Sequence, residues 1–83
     1  MKLSDRGNAQ QAILETLSER GEGKSICPSE AARKLVGPKG DWRGSMELVH
    51  EATDALLEAG LVRLSRKGKE VDQRRGAYRI ARR

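Results

Sequence analysis

Phenylalanine is absent from this 83-residue chain, and Trp42 and Tyr78 are its only aromatic residues. The interior must therefore be assembled from Leu, Ile, Val, Met and Ala, and a core of that kind at this length is small. Cys27 is the single cysteine, which excludes an intramolecular disulfide. His50 is the single histidine, so a closed four-ligand metal set would need carboxylates at a spacing the chain does not show. No apolar run approaches membrane-spanning length, the N-terminus has no apolar signal segment, and no repeat or low-complexity stretch is visible. These absences lead to the expectation of one soluble, cytoplasmic domain over residues 1–83, with no cofactor, no metal and no large catalytic cavity.

Charge is plentiful, and it is unevenly distributed. The formal net charge is +5. Residues 41–60 nevertheless carry Asp41, Glu47, Glu51, Asp54 and Glu58 against Arg43 alone, whereas residues 61–83 carry nine cations against Glu70 and Asp72. A polyanion should therefore be drawn to the C-terminal segment and repelled by the segment before it.

The apolar pattern gives three helical segments. Ala9, Ile13, Leu14 and Leu17 form one stripe, predicting a helix over about residues 8–20 with Asn8 as cap and Gly21 as its left-handed end; a start at Ser4 is the alternative. Ser25-Ile26-Cys27 reads as a short strand. Pro28 then opens a second helix, supported by Glu30 in its first turn and bearing Ala31, Ala32 and Leu35 on its inward face. Asp41 reads as the cap of a third helix running to Ala59, in which Trp42, Met46, Val49, Ala52 or Thr53, and Leu56 face the core. On this reading Trp42 is a buried anchor against Leu14, Leu17 and the hairpin, and His50 lies on the solvated face.

Gly60 stops that helix, and the chain continues as a strand (Leu61, Val62, Leu64), a loop over residues 66–76 and a returning strand over residues 77–81. Helix, short strand, two helices and a β-hairpin is the order of an α+β winged helix-turn-helix domain, with the hairpin as the wing.

Cys27 before a helix start and His50 are the only thiol and imidazole; with no supporting signature they read as structural rather than as nucleophile and base, and no enzymatic activity is expected. The candidates for function are instead Arg66-Lys67-Gly68-Lys69 and Arg74-Arg75, where glycine allows close backbone approach and the cations can neutralise phosphates. Arg43 and Ser45, at the start of the third helix, are the remaining candidates for base-edge or phosphate contact, since the helix beyond them is acidic. The expected partner is double-stranded DNA, bound mostly through phosphates in a transcription-related role. The alternative is a protein-interaction or dimerisation domain docking a partner or second copy through Glu47, Glu51 and Asp54.

Cys27-Pro28-Ser29-Glu30-Ala31-Ala32-Arg33, Trp42-Arg43, Met46, Val49, Ala59-Gly60, Lys67-Gly68, Val71-Asp72, Arg75-Gly76 and Arg79-Ile80 together resemble a family of small bacterial proteins of unassigned function. The resemblance covers most of the chain and implies a winged-helix-like fold; it implies no activity, cofactor or binding residue. The chain departs from the family pattern at Gly44 or Ser45, where a larger apolar residue is expected, and at Ala77, where proline is expected.

Overall fold

In a computed structural model, which describes residues 5–74 and 76–83, the order is α1 (Asp5–Arg20), β1 (Ser25–Ile26), α2 (Pro28–Val36), α3 (Met46–Glu58), β2 (Val62–Arg66), β3 (Lys69–Val71) and β4 (Arg79–Arg82). Three helices cover one face of an antiparallel four-stranded sheet of order β1-β4-β2-β3. This is an α+β fold, and its element order is compatible with a winged helix-turn-helix.

The core follows from the helical stripes. Ala9, Ile13 and Leu17 of α1, Ala31 and Ala32 of α2, and Val49, Ala52 and Leu56 of α3 close on Ile26, Val62, Leu64 and Ile80 from the sheet. Period-two alternation puts those four strand residues on the inner face, with Ser25, Arg63, Ser65 and Arg79 on the outer one. Thr53 is fully buried among them, its hydroxyl donating to the Val49 carbonyl at 2.8 Å.

The expected short strand is present: Ser25 pairs with Ala81 and Ile26 with Ile80. Pro28 occupies the first turn of α2, and the Glu30 carboxylate accepts from the Cys27 amide at 3.1 Å, a link that fixes this N-terminus. Gly60 adopts φ 77°; its amide donates to the Leu57 carbonyl and the Leu61 amide to the Leu56 carbonyl, both at 3.0 Å. That is the Schellman arrangement, and it redirects the chain from α3 into β2.

Four features differ from the sequence expectation. Helix α1 already includes Asp5, so Asn8 lies within it and caps nothing; Ser4 lies outside the described residues. Helix α3 begins at Met46, not at Asp41. Residues 41–45 form tighter turns, in which the Ser45 amide donates to the Trp42 carbonyl and the Met46 amide to the Arg43 carbonyl. Asp41 does act as a cap, but of this turn: its Oδ1 accepts from the Gly44 amide at 3.1 Å, and a Cβ on Gly44 would lie 2.5 Å from Oδ2. The absence of a side chain at Gly44, one of the two positions where the family pattern led us to expect a larger residue, is what lets the carboxylate fold over it.

The third difference is Trp42. It is only partly buried at the edge of the core and so is not the central anchor expected of it. The fourth concerns residues 66–76, which are not one flexible loop. Lys67 (φ 53°) and Gly68 (φ 81°) form a two-residue turn with both φ positive, and the chain pairs back on β2 as β3, with Leu64 opposite Val71 and Arg66 opposite Lys69. Only then does it cross to β4, which starts at Arg79 rather than at Ala77; Leu61 stands outside the sheet, 50% exposed.

Candidate nucleic-acid interface

The cations of the C-terminal segment divide by their partners. Lys67 sits in the left-handed region at the tip of the β2–β3 hairpin, where a non-glycine residue is strained, and it is exposed together with Gly68 and Lys69. Arg66 extends over the backbone of Gly76, since a Cβ there would come within 3.2 Å of its Nη2. Among the described residues, neither Arg66, Lys67 nor Lys69 forms an ion pair with a carboxylate.

Arg74, in contrast, is engaged. Its Nε and Nη2 donate to the two carboxylate oxygens of Asp54 on α3 at 2.7 and 2.8 Å, a bidentate pair that raises the Arg74 pKa further. The segment after β3 is thereby drawn across the outer face of α3, and an open cleft of about 600 Å³ forms between Asp54, Leu57 and Glu58 on one side and Val71, Asp72 and Arg74 on the other. Arg83 pairs with Glu70, and Arg79 donates to the hydroxyl and carbonyl oxygens of Ser25. Arg75 lies outside the described residues.

The acidic face of α3 is partly compensated in the same way. Asp54 holds Arg74, and Arg6 comes within 3.9 Å of Glu51. Glu47 and Glu58 form no ion pair among the described residues. His50, expected on the solvated face, is partly buried instead, its Nδ1 2.6 Å from the Tyr78 hydroxyl. Burial first, and then the Arg74 charge, hold His50 below its ordinary value, while burial pushes Tyr78 up. The Cys27 sulfur accepts from the Ser29 hydroxyl at 3.2 Å. His50 is committed to Tyr78.

Arg43 and Ser45, expected in the first turn of the third helix, sit in the turn before α3, and Arg43 belongs to a cluster that sequence reasoning missed. Gly37 (φ 81°) ends α2, and Gly40 packs so closely that a Cβ would lie 2.4 Å from the Val36 Cβ. The 37–41 connection therefore folds back onto α2 and carries Trp42 to Arg33. The Arg33 guanidinium carbon lies 4.6 Å from the indole centroid, and that of Arg43 4.9 Å. Both arginines are exposed and lack a carboxylate partner among the described residues. The signal was available: two glycines bracketing a short connection between a helix bearing Arg33 and a Trp-Arg pair.

No helix among the described residues is long and apolar enough to cross a membrane. They also contain no group of three or more His, Cys, Asp or Glu that could hold a metal ion. Residues 6–83 match the family model described as Protein of unknown function (DUF3253), and the chain belongs to that family. No curated protein matches it.

Proposed function

We propose that this member of the family binds double-stranded DNA through the β2–β3 hairpin, used as the wing of a winged helix, together with the start of α3. The observation that carries the reading is the separation of the cations: among the described residues Arg66, Lys67 and Lys69 are without carboxylate partners at the hairpin, while Arg74 and Arg83 pair with Asp54 and Glu70. A left-handed lysine at a hairpin tip presents its charge outward at a cost in backbone strain, which favours a role for that charge. Phosphate contact dominates this mode. With Arg43, Arg66, Lys67 and Lys69 each neutralising one phosphate, log K against log salt should slope by about −3 to −4.

The acidic outer face of α3 argues against groove reading along its whole length, and Asp54 being neutralised by Arg74 reduces the repulsion. The other reading, docking of a protein partner or second copy through Glu47, Glu51 and Asp54, loses support because two of these three already have cationic neighbours. Isotherms for a short duplex at two salt concentrations separate the two. Salt-dependent binding that is unchanged or strengthened in Glu47→Gln/Glu51→Gln is the expected result; salt-insensitive retention, or an association lost in that variant, would reject the DNA reading.

A further inference from the structure

We infer that duplex DNA lies across α2, gripped at one end by the hairpin tip and at the other by the Arg33–Trp42–Arg43 stack, rather than along the outer face of α3; this rests on the DNA reading above. The hairpin tip and the start of α2 share one cleft, of about 380 Å³, lined by Cys27, Arg66, Lys67 and Gly68 among others. The Cys27 sulfur accepts from the Ser29 hydroxyl, and Ser29 lies four residues before Arg33, on the same face of α2. At 1.5 Å per residue, Cys27 and Arg33 are separated by about 9 Å along the helix, less than the roughly 12 Å width of a major groove. The strip is therefore short enough for one duplex backbone segment to touch both ends.

Its chemistry is also consistent along its length. Cys27, Ser29, Arg33, Trp42 and Arg43 include no acid, and two carboxylates beside them in the chain already accept from protein donors: Glu30 from the Cys27 amide and from Arg20, Asp41 from the Gly44 amide. Glu47, Glu51 and Glu58 belong to α3. The indole holds two guanidinium groups over its ring, and each keeps N–H donors that can reach phosphate oxygens. A stacked arginine has already lost part of its side-chain freedom, so less is lost when it meets a phosphate. Trp42 is the only tryptophan, so the contact carries its own optical probe.

The test titrates a short duplex into the full chain and reads fluorescence anisotropy of the DNA and Trp42 emission together. Wild type should change its Trp42 emission on saturation. Arg33→Ser/Arg43→Ser should lose at least tenfold in affinity and flatten the salt slope by about two, while Arg33→Lys/Arg43→Lys keeps most of that slope. An unchanged Trp42 emission in wild type, which no folding defect can imitate, would overturn the assignment. So would an Arg33→Ser/Arg43→Ser variant of native circular dichroism that binds with the wild-type slope. In either case, continued loss of binding on hairpin substitution would leave the DNA reading standing, whereas no salt-dependent duplex binding by wild type would remove both.

Discussion

The hairpin tip and the segment that returns from it carry similar sequence charge and opposite structural roles. At the tip, Arg66, Lys67 and Lys69 have no carboxylate partner among the described residues; in the return, Arg74 is bound bidentately to Asp54 and Arg83 meets Glu70. The cause is the strand β3. By pairing back along β2 it carries the chain to the outer face of α3, where acids wait, and leaves the two-residue turn projecting alone. A run of cations is therefore no measure of a binding surface until the neighbouring acids are located. The pairs are half-exposed, and each contributes only about 0–1 kcal/mol to stability, so their main effect is to remove cations from the surface field.

The sharpest way to break this comparison is to remove the tip charges. Arg66→Ser/Lys67→Ser/Lys69→Ser should lower duplex affinity on the order of 10²-fold at about 0.1 M salt and flatten the slope by about three, whereas Arg74→Ser should change affinity less than about threefold. Equal losses in the two variants, measured by anisotropy, would show that the return segment also contacts DNA. The next effect has the opposite sign. Asp54→Asn releases Arg74 and deletes an acid, so affinity should rise several-fold and the slope steepen by about one. A slope that does not move would mean that the freed Arg74 finds no phosphate.

The platform that presents the tip can be tested at Gly60. Its φ of 77° suits glycine, and open space around it leaves the backbone as the only obstacle to a side chain. Gly60→Ala should cost about 1 kcal/mol in urea denaturation and weaken duplex binding only through the unfolded fraction. A midpoint equal to wild type would deny Gly60 its role in turning α3 into β2.

Much of this architecture was legible in the sequence for identifiable reasons. Ala9, Ile13 and Leu17 share a helical period, Pro28 suits a first turn, and Gly60 follows a helical run; each is a local signal that the tertiary fold preserves. Local signals failed where a side chain answers to a partner that propensity does not name. Asp41 looked like a helix cap, but Gly44 lets its carboxylate close a tighter turn, and Trp42 is thereby displaced from the core to the arginines. Its removal should accordingly cost less than the roughly 3–5 kcal/mol of a fully buried aromatic. Residues 66–76 looked like one loop because Lys67-Gly68 is a weaker hairpin signal than Asn-Gly, and β3 is only three residues long. The Arg74–Asp54 pair spans 20 residues and has no sequence signature at all. For the candidate site, Arg43 and the hairpin cations were proposed from charge alone, whereas Arg33 required knowing where the 37–41 connection goes.

The smallest expected effect joins the return segment to pH. His50 is held below its ordinary value by burial first and by Arg74 second, with Asp54 and Glu47 acting in the opposite direction; Tyr78 faces it at 2.6 Å. A base whose folded pKa is depressed contributes stability that is complete above its unfolded value of about 6.5 and is lost as pH falls through the folded value. The urea midpoint should therefore decline as pH is lowered below about 6.5, and His50→Gln should flatten that part of the curve. Arg74→Ser removes the second cause but not the first, so its decline should be shallower than wild type and steeper than His50→Gln. If Arg74→Ser matched wild type throughout this window, the return segment would not be seated on α3 at the His50 position, and the distinction between a free tip and a bound return would lose its anchor.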